Sequence, residues 1–205
     1  IGRRSADWLL VDFTGVVRAR ETLSYSFPDA DTLLPQVQSR MRSLLDGLGA
    51  LAPRIVGVGV AAPFNLGGWH KMLGLSASVS DQWNHIDLAA QGQAMTDVPV
   101  SFAKDTQAAC VAELVAGRGR DLKSFLYLFV DTFVGGGLVL NSHLHGGIHG
   151  NAGAVASLPL QVASGGAVPE QLLAHASLWE LEQHFKASGQ KIDYCITGEP
   201  SSIEK

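Results

Sequence analysis

The chain has 205 residues, 46% of them hydrophobic and 17% charged, a composition that supports a packed core and excludes a disordered or low-complexity chain. Its formal net charge of -4 and pI near 5.9 exclude the basic surplus that neutralising a phosphate backbone requires, so this segment alone is not expected to grip DNA. Two cysteines, Cys110 and Cys195, make no disulfide framework and point to a reducing compartment, the cytoplasm. Apolar runs such as 55–63 and 125–130 fall far short of the ~20 residues of a membrane helix, and no export signal opens the chain. Residue 1 leads straight into a strand-like pattern and residues 197–205 complete no element, so the sequence reads as a fragment of a longer protein.

In chain order, residues 8–12, the turn Phe13-Thr14-Gly15, and residues 16–20 read as a hairpin, with 21–27 as a third strand of a meander. Leu33, Leu34, Val37, Met41, Leu44, Leu45 and Leu48 recur at helical spacing over 31–48, with Asp31 as N-cap and Gly49 as C-cap. Residues 55–62, β-branched and small and ended by Pro63, suit a strand buried on both faces. A Gly- and Ser-rich loop over 64–82 is closed by Trp83. A short helix over 87–95, a strand over 98–102 and a helix over 106–116 follow. Strands at 125–130 and 138–140 are joined through glycines, and 169–186 form a long amphipathic helix with Pro169 in its first turn and Gly189 beyond its end. Two strand-rich stretches, each followed by helices, predict an α/β chain in two lobes, 1–97 and 98–205, divided near Val98.

Three clusters are candidates for chemistry. The run Val130-Asp131-Thr132-Phe133-Val134-Gly135-Gly136-Gly137 is a strand entering three glycines, which suits either a phosphate held by backbone N–H groups or a tight turn. Asp105, between a strand and a helix, suits either a helix cap or an acceptor for a substrate hydroxyl proton. His143, His145 and His149 stand at metal-like spacing among glycines, but no cysteine or carboxylate cluster joins them, and no metal is expected.

The order Gly57-Val58-Gly59-Val60-Ala61-Ala62-Pro63, Val98-Pro99-Val100, Asp105-Thr106-Gln107-Ala108-Ala109 and Ala112-Glu113-Leu114 resembles the ROK family of sugar kinases and sugar-responsive repressors. Phe125-Leu126-Tyr127-Leu128, Thr132, Gly135-Gly136-Gly137, Leu140-Asn141 and Gly150-Asn151-Ala152-Gly153 continue the likeness to about Leu160. Each motif is weak alone, and their order makes them specific together. The resemblance implies an actin-like (ribonuclease H-like) fold of two lobes, here a truncated copy. It implies Asp105, Gly150 and Asn151 as ligand-binding residues, with degenerate phosphate positions at Gly2, Thr132, Gly135 and Gly136.

Departures from the family pattern shape the expected function. The first phosphate loop, Ile-Gly-Gly-Thr-like in the kinases, is Ile1-Gly2-Arg3-Arg4-Ser5, and arginine side chains cannot reproduce the close backbone approach that glycine permits. A Gly-Thr-Gly is replaced by Asp131-Thr132-Phe133, and the asparagine before the catalytic aspartate by Lys104. A sugar-binding Glu and His are replaced by Ala154 and Ser157, which removes hydrogen bonds each worth ~1 kcal/mol or more. The family's cysteine-rich zinc motif is absent. These features imply the effector-binding and oligomerising part of a ROK-like sugar-responsive transcriptional regulator without kinase activity. Its partners would be a sugar or sugar phosphate, a second copy of itself, and DNA through helices outside this chain, with no membrane and no cofactor. The alternative is an ATP- and magnesium-dependent sugar kinase with Asp105 as base and Thr132, Gly135 and Gly136 around the phosphates. A third class, a scaffold that packs the helix at 169–186 on a partner, is set against ordinary core packing of that helix.

Overall fold

A computed structural model describes residues 1–68, 70, 72–161 and 169–189. They fall into two compact units, Ile1–Phe129 with Gly136–Gly153 and Val130–Gly135 with the described part of Ala154–Lys205. The expected lobe boundary, Val98, lies inside the first unit, because the parallel pairing of β3 (Val58–Ala62) with β4 (Val100–Lys104) ties together the stretches on either side of it.

The first unit opens with an antiparallel hairpin of β1 (Ser5–Val11) and β2 (Val17–Ser24). The third meander strand is not formed: residues 21–24 continue β2, with Glu21 opposite Trp8 and Ser24 opposite Ser5. The turn is held by Asp12, whose Oδ1 accepts from the Thr14 amide at 2.8 Å and the Val16 amide at 3.1 Å while Oδ2 accepts from Arg18 Nε at 2.7 Å. The Thr14 hydroxyl also donates to Oδ1 at 2.6 Å, and this bond foremost, with the others, holds the Asp12 carboxyl well below the usual carboxylate range.

Helix α1 (Ala30–Gly47) carries the expected apolar face, with Leu33 and Val37 buried. Its cap is Asp29 rather than Asp31, since the Asp29 carboxylate accepts from the Thr32 amide at 3.1 Å. Asp31 then sits in the first turn, where negative charge favours the helix dipole. Ala6, Trp8, Ala30, Leu33, Val37, Leu66 and Trp83 form the core beneath it. Trp83 closes the long loop as expected, its indole N–H donating to the Pro28 carbonyl at 2.6 Å.

Strand β3 is shorter than expected and is not buried on both faces, since only Ala62 is fully covered. Among the described residues it pairs with β4 alone, in a two-stranded parallel sheet. Helices α2 (Ala77–Gln82) and α3 (Leu88–Gln93) follow, the latter capped by Asp87. Strand β4 runs directly into α4 (Asp105–Ala116). A three-stranded sheet then forms from β5 (Phe125–Val130), β6 (Val134–Leu140) and β7 (His143–His145). Asn141 and Ser142, with φ of 50° and 63°, make the tight turn between β6 and β7.

In the second unit, the long helix expected from Pro169 begins nine residues later, as α5 (Leu178–Ala187). Leu172–Ala174 form a separate 3-10 turn that buries Leu173. The start is set by Ser177-Leu178-Trp179-Glu180, a capping-box sequence in which the Ser177 hydroxyl accepts from the Glu180 amide at 3.1 Å. Its remaining early amides are also engaged: Leu178 donates to the Asp131 carbonyl at 3.0 Å and Trp179 to that of Thr132 at 3.2 Å. Among the described residues no helix is long and apolar enough to cross a membrane.

Candidate functional site

The junction of β4 and α4 carries a polar corner of the first unit. Lys104 ends the strand and Asp105 is the first helical residue rather than its cap, with its Oδ1 accepting from the Thr106 amide at 2.7 Å. Two side chains flanking Asp105 reach across to the loop at 146–153. Lys104 Nζ donates to Asn151 Oδ1 at 2.9 Å, and Gln107 Nε2 donates to the Gly150 carbonyl at 3.1 Å. The loop is bent by Gly147 and Gly150, both in the left-handed region at φ of 70° and 67°. Asp105, Gly150 and Asn151, named from the resemblance as ligand residues, are thus drawn into one corner. Thr106, the second residue of the same helix, is only 5% exposed, and its hydroxyl finds no partner among the described residues.

Lys104 and Gln107 are the residues that reading the motifs did not single out as contributors. The signal for them was their position on either side of Asp105; their acceptors, 47 and 43 residues away, were not visible in the chain.

The amino-terminal segment also reaches the sheet that carries this corner, since the Ile1 nitrogen lies 2.7 Å from the Ala61 carbonyl of β3. Gly2, the first expected phosphate position, folds back locally: its amide donates to the Ser5 carbonyl at 2.7 Å, and the Tyr25 hydroxyl lies 2.7 Å from the carbonyls of both Gly2 and Ser5. Burial, with the Asp7 charge adding to it, pushes the Tyr25 pKa up and keeps the phenol neutral. Arg3 points inward and is 9% exposed, with its guanidinium donating to the carbonyls of Leu66 and Gly68 at 3.0 Å and of Asn65 at 2.9 Å.

The glycine run is neither a turn nor a loop. Gly135, Gly136 and Gly137 lie inside β6, and none of the three has a positive φ. Their lack of side chains serves close packing: a Cβ on Gly137 would stand 2.5 Å from Cys110 Cβ, and one on Gly153 would meet the Gly136 carbonyl oxygen. Gly2 and Gly136 belong to the first unit, and Gly135 and Thr132 to the second. Thr132 is buried, and its carbonyl accepts from the Trp179 amide in the first turn of α5. His143, His145 and His149 are exposed, and His143 Nδ1 lies 2.7 Å from the Asn141 carbonyl. Among the described residues no group of three His, Cys, Asp or Glu side chains is arranged to hold a metal ion.

Comparison with known proteins accords with this architecture. The family model of the ROK family matches residues 1–169. The xylose repressor of Bacillus subtilis (strain 168) is 24% identical over 133 residues, 65% of this chain and 33% of the repressor. Among solved structures, a ROK family transcriptional regulator, a homolog of the E. coli MLC protein, superposes with a TM-score of 0.69 at 20% identity, covering 100% of this chain and 51% of the regulator. A ROK family glucokinase from Streptomyces griseus, solved with glucose and AMPPNP, gives a TM-score of 0.69 at 18% identity, covering 92% of this chain and 60% of the kinase. The chain therefore spans about a third of the length of the curated repressor and between half and two thirds of these solved chains. The fold is the α/β, actin-like fold of these proteins, regulators and kinases alike. With the family model matching most of its length, the chain belongs to the ROK family.

Proposed function

We propose that this chain is the effector-binding region of a sugar-responsive ROK transcriptional regulator and does not transfer phosphate. The observation that carries the reading is Arg3. At the expected first phosphate loop its guanidinium is buried and spends its donors on three backbone carbonyls, so the segment acts as a structural clasp. The placement of Gly135, Gly136 and Gly137 within β6, with Gly137 packed against Cys110 and Gly136 against Gly153, adds support. Those glycines serve strand packing, and ATP and magnesium are not needed for the role. Asp105, Gly150 and Asn151 then bind the effector, a polyol such as a sugar or sugar phosphate. DNA contact and self-association belong to the full-length cytoplasmic protein.

The kinase reading is favoured by one observation, the position of Asp105 at the strand-to-helix junction, where a carboxylate can accept a proton from a substrate hydroxyl. One experiment separates the two. Full-length protein is incubated with ATP, magnesium and a panel of hexoses and amino sugars, and ADP release is followed. No sugar-dependent release above background is expected; turnover at about 1 per second or faster, an ordinary kinase rate, would overturn the regulator reading.

A further inference from the structure

The bond between Lys104 and Asn151 bears on which ligand the corner accepts. Lys104 is half-buried at the end of β4, and its ammonium is held at 2.9 Å by a neutral amide oxygen. Among the described residues, none of the ion pairs involves Lys104. Its ammonium is therefore positioned by a neutral group rather than by a carboxylate in direct contact. An ammonium has three donors, and one is spent on Asn151.

The bond also polarises what Asn151 presents. With Oδ1 engaged by Lys104, the free half of the amide is Nδ2, a donor. Lys104 and the Nδ2 half of Asn151 then offer N–H donors and a positive charge. The adjoining residue, Asp105, is an acceptor, with Oδ1 turned to the Thr106 amide. Gln107 holds the Gly150 carbonyl at 3.1 Å, so the loop is fixed in place by a bond separate from the one Lys104 makes. A group that satisfies several N–H donors and a cation at once is itself anionic and acceptor-only: a carboxylate or a phosphate. A neutral hydroxyl can accept one of these bonds, but it brings no charge to the ammonium.

Resting on the ligand site given under Proposed function, we infer that Lys104 makes this site selective for an anionic polyol, a sugar acid or a sugar phosphate, over the neutral sugar. The anionic group lies on Lys104 and Asn151, and a hydroxyl of the same molecule donates to Asp105.

The test is calorimetric titration of the full-length protein with glucose, mannose and galactose, with the corresponding hexonates and 6-phosphates, and with inorganic phosphate alone. The wild type and the variants Lys104→Met, Lys104→Arg and Asp105→Asn are compared. At least one anionic derivative is expected to bind about tenfold or more tightly than its parent sugar, as one charge-assisted hydrogen bond supplies. Lys104→Met should bring that ratio toward one, and Lys104→Arg should retain it. Whether hexonate or 6-phosphate is preferred identifies the source of the anion. The inference is overturned if the neutral sugars bind as tightly as their anionic derivatives, if the ratio survives Lys104→Met, or if inorganic phosphate binds as tightly as the sugar phosphates. Asp105→Asn separates the two levels. If it leaves all binding unchanged, the ligand site itself is wrong; if it weakens every ligand while Lys104→Met preserves the ratio, the Lys104 inference alone fails. Absence of binding by every probe overturns both.

Discussion

Arg3 and Lys104 are both cations in the first unit, and the surroundings of each give it a different task. Arg3 is buried, and three backbone carbonyls at 65, 66 and 68 surround its guanidinium. The planar fork of arginine matches such a set, and the bonds fasten the amino-terminal segment to the loop after β3. Lys104 is half-buried, and a single side-chain amide oxygen holds its ammonium. One cation is consumed by the fold, and the other is positioned by it with donors to spare. A charged residue near a candidate site is informative once its acceptors are counted.

The largest effect expected from this contrast is on stability at Arg3. Replacing it by alanine removes three charge-assisted bonds and strands buried carbonyls, and it should destabilise the protein by about 3 kcal/mol or more in denaturant unfolding. Arg3→Lys should recover little, because one ammonium cannot match the fork. A loss under about 1 kcal/mol for Arg3→Ala would show that the clasp is not a stabilising element.

The corner that carries Asp105 also has a steric foundation. Gly153 ends the loop at 146–153 and lies against the Gly136 carbonyl and Gly137 Cα of β6. Because those neighbours are backbone, Gly153→Ala should cost about 2 kcal/mol through overpacking, and it should weaken ligand binding at Asn151 as the loop shifts. An alanine variant of wild-type stability would mean that the loop is loosely seated.

Outside both regions, Ser177 supplies a control in the second unit. Ser177→Ala removes the cap of α5 and should cost about 1 kcal/mol without altering ligand affinity. Altered affinity in this variant would tie the second unit to the ligand corner. The smallest stability effect belongs to Lys104→Met. One bond from a half-buried ammonium to a neutral amide is worth under about 1 kcal/mol to the fold, and a larger loss would mark Lys104 as a second structural cation like Arg3.

What the sequence determined by itself was local. Apolar spacing marked α1, and α3 and α4 fell where short helices were expected; the glycines at 49 and 189 fell just past helix ends, and Trp83 closed the loop over 64–82. Such features arise from residues within a turn or two of each other, so the linear order records them. The ordered motifs from Gly57 to Gly153 likewise carried the family, because they are strings of neighbours. Some local signals were present but outweighed: Pro169 suggested a helix start, whereas the Ser177-to-Glu180 box set it.

Tertiary structure alone decided the rest. The glycine run became strand because Cys110 and Gly153 lie against it. The task of Arg3 was set by carbonyls 62 to 65 positions away, and that of Lys104 by an amide 47 positions away. A residue's type states which bonds it can make, while burial and the partner brought to it by folding settle which bonds it does make.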